Sequence, residues 1–251
     1  MADKKIFVIE KMVQILDYIA EHNGSARLTD ICNDLNMVKS TAHGILLTME
    51  GLDLIVKDKN TNLYSLGIKM FRYGKIFEQN YSVKELIHPY LEKLSAKYQE
   101  CAHTGVPDGD CVLYVDMLET DHAVRLQART GGRDPLYCTS IGKVILANMT
   151  ELEVEEYFDR MDIEQKTENT ITDLAEMKKA LHKIRANRIS YDIEELEKGL
   201  VCVASGIYNP EGELVAAIGI SSPNGRVGMD TLEEMGRDIQ KYCLEVERLL
   251  K

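Results

Sequence analysis

The first 66 residues hold three short apolar stripes at helical spacing, separated by tight breaks and followed by a hairpin. In "VIEKMVQILDYIAEHNG", Val8, Met12, Ile15, Leu16 and Ile19 recur at intervals of three and four, one face of a helix. Asn23-Gly24 then supplies a left-handed stop. "RLTDICNDLN" carries Leu28, Ile31 and Leu35 as a shorter stripe, with Thr29 or a neighbour as its cap and Asn36 suited to a left-handed turn. In "MVKSTAHGILLTMEGLDLI", Val38, Ala42, Ile45, Leu46, Met49 and Leu52 share a face, and Lys39, Ser40, His43 and Thr48 fall mostly away from it. Ile55 and Val56 lead into a turn at 58–62, and Leu63 to Leu66 lead out. Helix, short turn, helix and hairpin make a winged helix-turn-helix.

A helix that reads the major groove needs an apolar face for its own domain and a polar, partly basic face for the nucleic acid. Residues 38–51 have both. Lys39 suits a phosphate, and Ser40, Thr41 and His43 sit near the helix start, where side chains reach base edges or backbone. Lys57, Lys59, Asn60 and Asn62 in the wing suit phosphate or minor-groove contact, and Lys4 and Lys5 suit a basic arm. The net charge of −11 argues against nucleic acid only until its distribution is seen. Residues 1–75 carry 10 Lys and Arg against 9 Asp and Glu, while the rest carries 20 against 32. The acidic remainder repels DNA and must serve another purpose.

That remainder changes texture at Cys101. "GIKMFRYGKIFEQN" predicts a connecting helix, and Ser82 opens a second, long one in which Pro89 is a potential bend. Strand-like runs "CAHTGV" and "CVLYVDML" flank the turn "PDGD", and "HAVRLQA" is another such run. Helices are expected at 141–148, 151–160 and 173–187. "RISYD", "VCVASGIYN" and "LVAAIGISSP" read as strands, the last two joined by the turn "PEGE", and residues 230–250 close the chain with an amphipathic helix. Strands and helices mixed in this way indicate an α+β domain around an antiparallel sheet. The expected boundaries are 1–66 for the winged helix-turn-helix, 67–80 for a linker helix and 81–251 for the second domain. At 45% hydrophobic and 28% charged, the chain can build packed cores. The N-terminus does not read as a secretory signal, and six scattered cysteines without a CxxC pair suggest neither a disulfide framework nor structural zinc, so a cytoplasmic protein is expected.

The stretch "LYCTSIGKVILA" at 136–147 admits three chemical readings. Cys138 as a nucleophile needs a base, and none of the six histidines stands beside it in sequence. A phosphate loop needs an earlier glycine where Tyr137 stands and a hydroxyl after Lys143 where Val144 stands. The third reading is a turn into a helix whose first N–H groups hold an anion such as a carboxylate, against the alternative of an ordinary capped helix. Arg129 and Arg133 either support that anion or are surface arginines; Tyr137 and Met117 either line a pocket or fill the core. The spacing of Asp192 with Cys138, Cys202 or His103 gives no positive signal for a metal.

Three stretches together resemble the IclR family of bacterial transcription regulators: "LTDICNDLNMVKSTAHGILLTMEGLDLI", "GGRDPLYCTSIGKVILA" and "ISYDIEELEKGLVCVASGIYNPEGELVAAIGISSP". With the segments between them the resemblance covers nearly the whole chain. It implies a regulator that binds a palindromic double-stranded operator as a homodimer, or as a dimer of dimers, with a GAF-like C-terminal domain that takes a small anionic metabolite. It implies no catalysis, no cofactor and no membrane. Carried over by position, the backbone at Ser140 and Ile141 meets a carboxylate, Asp192 a hydroxyl or hydrate, Leu200 forms a wall, Cys202 gives a weak polar contact, and Gly219 and Ser221 complete the pocket. The competing class is a metabolite-binding enzyme or sensor that keeps the helix-turn-helix only as an interaction module. Three positions depart from the family's habit. Val38 replaces the usual Pro or Ser, Gly44 replaces a large polar residue such as Arg, and Gly219 replaces the serine of some relatives. Loss of that serine predicts a roomier pocket and a larger or less polar acid. Ile9, Phe71 and Ile76 are expected dimer contacts.

Overall fold

The computed structural model describes residues 6–80, 82–120, 122 and 129–250. The basic arm and all of "HAVRLQA" except His122 lie outside the described residues. Contacts divide the chain into two units, Met1–Tyr81 and Ser82–Lys251.

In the first unit α1 (Phe7–Glu21) leads through β1 (Ser25–Arg27) into α2 (Leu28–Asp34), α3 (Lys39–Gly51), β2 (Ile55–Lys57), β3 (Leu63–Leu66) and α4 (Ile68–Asn80). The three strands form an antiparallel sheet in the order β1-β3-β2. Ile15, Ile19, Ile31, Ala42, Leu46, Met49 and Ile55 close one apolar core, as the helical stripes require. Three details differ from the sequence reading. No side chain caps α2: its N-cap is Arg27, and the Thr29 hydroxyl turns to Asp30 instead. Val8 and Leu52 stay exposed although they share the stripe spacing. β1 was not expected, because three residues carry too little alternation to register as a strand. Asn23, Gly24, Asn36 and Asn62 all take positive φ, as turn residues at these breaks should. In the wing turn, Asp58 Oδ1 accepts the amides of Asn60 and Thr61 at 2.8 Å each.

The second unit begins with α5 (Ser82–Tyr98), which contains Pro89. It continues through β4 (Cys101–Asp108), β5 (Cys111–Leu118), β6 (Arg133–Pro135), α6 (Ser140–Asn148), α7 (Glu151–Arg160), α8 (Leu174–Asn187), β7 (Ser190–Ile193), β8 (Leu200–Tyr208), β9 (Leu214–Pro223) and α9 (Met229–Glu247). Among the described residues the sheet runs β6-β5-β4-β9-β8-β7, every pair antiparallel. Strand alternation sends neighbouring residues to opposite faces. Ala204 joins the core made by Ile141, Val144 and Ile145 of α6, while its neighbour Val203 faces Gly236 of α9. One face therefore carries α6 and the other carries α9. No helix among the described residues is long and apolar enough to cross a membrane.

Candidate functional site

On α3, Lys39, Ser40, Thr41, His43 and Gly44 are all exposed, while Ala42, Ile45 and Leu46 point into the core. The helix starts at Val38, whose side chain supplies no cap and is 70% exposed. Lys59 and Asn60 are exposed at the wing tip, and the Lys57 ammonium lies 5.4 Å from the centre of the Tyr64 ring. The residues expected to face a duplex are thus on one helix and one wing of the same unit.

In the second unit the turn before α6 is built by its own sequence. Thr139 is extended at φ −119° and ψ 149°, and its hydroxyl accepts from the Gly142 amide at 3.0 Å. The Lys143 amide donates to the Thr139 carbonyl at 3.0 Å. The two amides ahead of these, of Ser140 and Ile141, are in the first turn and have no intrahelical acceptor. Both residues are buried. A Cβ on Gly142 would collide with the Leu136 backbone and the Thr139 hydroxyl, so only glycine allows this tight turn.

Facing α6, strand register sets polar residues side by side. Asp192 pairs with Cys202, Cys202 with Ser221, and Ala204 with Gly219. Leu200, two residues before Cys202, is buried on the same face. The Ser221 hydroxyl donates to Cys202 Sγ at 3.1 Å. Asp192 Oδ1 accepts the Glu195 amide at 2.7 Å, and Oδ2 has no hydrogen-bond partner among the described residues. Burial raises the Asp192 carboxyl to about 7. Burial likewise pushes up Asp134, whose carboxyl contacts the Tyr114 hydroxyl.

The fold adds to the acid pocket one residue that the sequence offered only as a metal partner of Asp192. His103 of β4 pairs in register with Gly219. A Cβ on Gly219 would lie 2.6 Å from His103 Cε1, so the imidazole fills the space above that glycine. The expected enlargement of the pocket at Gly219 is therefore absent: a ring occupies the position of the missing serine side chain. His103 Nε2 bonds Ser221 Oγ at 2.8 Å, its ring meets Tyr114 edge-on at 5.3 Å, and Nδ1 has no partner among the described residues. Burial lowers the imidazole to about 4, keeping it neutral.

Several alternatives that the sequence left open have a definite geometry. Lys143, which the phosphate-loop pattern left without a role, is buried and pairs with the Glu195 carboxylate. Arg133 pairs with Asp108 at 2.8 Å on the surface. Tyr137 is core, its hydroxyl donating to the Glu164 carbonyl at 2.9 Å, and Met117 packs against the same core. Burial pushes the Cys138 thiol up to about 12, the reverse of what a thiolate nucleophile needs. Among the described residues no group of three His, Cys, Asp or Glu is disposed to hold a metal.

Two family profiles match the chain: "Bacterial transcriptional regulator IclR C-terminal" over residues 78–248 and "IclR helix-turn-helix domain" over residues 8–59. The HTH-type transcriptional regulator BhcR of Paracoccus denitrificans is 32% identical over 96% of this chain and 86% of its own. The HTH-type transcriptional repressor AllR of Escherichia coli is 27% identical over 100% and 92%. An IclR homologue from Microbacterium hydrocarbonoxydans, solved in complex with 4-hydroxybenzoate, superposes with a TM-score of 0.83 over 97% of this chain and 98% of that one; at 19% identity it shares the fold.

Proposed function

The chain belongs to the IclR family of bacterial transcriptional regulators, and from that premise we propose that it binds a palindromic operator through its first unit and a small organic acid through its second. The observation that carries the second half is the pair of first-turn amides of the buried residues Ser140 and Ile141, which have no intrahelical acceptor and no backbone acceptor among the described residues, opposite a sheet face bearing Asp192, Cys202, Gly219 and Ser221. A helix N-terminus with unbonded amides favours a carboxylate through its dipole and its donors. Leu200 walls the site, and the raised Asp192 carboxyl lessens the repulsion that a second negative charge would meet there. The 4-hydroxybenzoate complex of the Microbacterium homologue supports an organic-acid ligand in this fold.

For DNA, Lys39, Ser40, Thr41 and His43 read the major groove, and Lys57, Lys59 and Asn60 hold the flanking backbone. The active form is a homodimer. Phe7, Val8, Ile9 and Val13 on α1 and Ile68, Phe71, Ile76 and Phe77 on α4 are all at least 44% exposed. So many large apolar groups on two helices call for a partner surface. Acid binding changes the separation of the two reading helices, with a coupling of about 1–3 kcal/mol, or about 5- to 150-fold in DNA affinity. The test is a mobility-shift titration on the upstream region of the protein's own gene, with and without organic acids. Specific retardation that an acid alters by at least fivefold is expected. Absence of a specific shift, with turnover of a bound acid, would replace this reading by an enzymatic one.

A further inference from the structure

Four groups on the α6 face form a chain that ends, among the described residues, in unpartnered atoms. His103 Nε2 lies 2.8 Å from Ser221 Oγ, which donates to Cys202 Sγ at 3.1 Å, and Cys202 stands opposite Asp192. A hydroxyl has one hydrogen. The arrangement in which Ser221 gives its hydrogen to the sulfur has it accept from His103, which puts the imidazole proton on Nε2. A neutral imidazole has one N–H, and its other nitrogen is an acceptor. In that tautomer Nδ1 is a buried lone pair with no hydrogen to receive among the described residues. The residue is 2% exposed. An unpartnered buried acceptor is costly, and a ligand that supplies the missing donor recovers that cost.

We propose that His103 is a specificity-determining residue of the organic-acid site, and that its Nδ1 accepts a hydrogen bond from an effector hydroxyl. The site thereby selects hydroxy acids over the matching keto and unsubstituted acids. The proposal rests on the reading of the site as an acid-binding one. Gly219 is its structural partner: only a residue without a side chain leaves room for the ring in this position. A keto oxygen offers no hydrogen and faces the Nδ1 lone pair, and a methylene leaves Nδ1 unsatisfied. A site built to bond a hydroxyl discriminates strongly against analogues that lack it.

The experiment is calorimetric titration of the full-length protein at neutral pH with two sets of probes. One set is lactate, pyruvate and propionate; the other is mandelate, benzoylformate and phenylacetate. In whichever set binds, the hydroxy acid is expected to bind at least about 10-fold more tightly than either analogue. In His103→Phe, which keeps the ring and removes Nδ1, acid binding is expected to persist and the preference to vanish. Gly219→Ala, which displaces the ring, should erase the preference in the same way. Equal affinity within a binding set, preference for the keto or unsubstituted acid, or a preference that survives His103→Phe overturns the assignment while leaving the acid site intact. Failure of all six probes overturns the acid site and this assignment together.

Discussion

The Lys143 ammonium on α6 pairs with the Glu195 carboxylate just beyond β7, and both residues are more than nine-tenths buried. The Glu195 amide in turn donates to Asp192. The ion pair thus anchors the loop that orients Asp192, and it does so from the helix whose first turn holds the Ser140 and Ile141 amides, which have no intrahelical acceptor.

Removing one member of a buried pair strands the other charge, at a cost of about 3–5 kcal/mol, whereas replacing both by apolar groups is often neutral. Lys143→Met is therefore expected to destabilise the second unit by that amount. Lys143→Met combined with Glu195→Leu should recover most of it. Urea denaturation of the three proteins checks this; a double variant as weak as the single one would mean that the pair is not a unit.

The pH dependence of stability follows from two buried groups with opposite signs. Asp192 has an ordinary value of 3.8 and is held near 7 in the folded protein. Between those values the folded state binds more protons than the unfolded one, so this group's contribution falls as pH rises from about 4 to 7 and is level beyond. His103 has an ordinary value of 6.5 and is held near 4. There the unfolded state binds more protons, so stability is lost as pH falls through that window. Asp192→Asn should remove the first slope. The variant is expected to gain up to about 4 kcal/mol over the native protein at pH 8 and to show little of that gain at pH 4. Denaturation at pH 4, 6 and 8 measures the difference; a gain that does not vary with pH would exclude the ionisation of Asp192 as its source.

Gly44 sits on the exposed face of α3, and nothing lies within 4 Å of where a Cβ would stand. Glycine inside a helix costs about 1 kcal/mol against alanine. Gly44→Arg should stabilise the helix, raise operator affinity several-fold and steepen the salt dependence by about one phosphate contact. Mobility shifts at two salt concentrations test this, and unchanged affinity with unchanged slope would place position 44 away from the duplex.

Elements with strong periodicity were legible in the sequence: the three N-terminal helices, the wing, and the strands on either side of "PDGD" and "PEGE" coincide with observed elements. β6 was not, because three residues paired to a neighbour leave no pattern of their own. The turn at Thr139 was legible because its cap and its glycine are local. Lys143 was not, since its partner lies 52 residues away and only the packing of α6 on the sheet joins them. His103 was weighed only as a metal partner of Asp192 and not as part of the acid pocket, for a related reason. A lone histidine in an apolar strand reads as core, and its meaning appears only when β4 is known to lie against β9, which sets it over Gly219. The glycine was the available signal: a side chain missing from one strand often marks where another intrudes.

The most direct test of the account removes one of the two amides without disturbing the helix. Ser140 is the first residue of α6, where proline is favoured because its missing N–H has no helical acceptor. Thr139 already has the extended conformation that a following proline demands. In a mobility-shift assay titrated with an effective acid, Ser140→Pro is expected to bind operator DNA as the native protein does. It should need about 10- to 100-fold more acid for the same response, the loss of one hydrogen bond to a charged group. A Ser140→Pro variant that responds at the native concentration would contradict the assignment of the carboxylate to the first turn of α6.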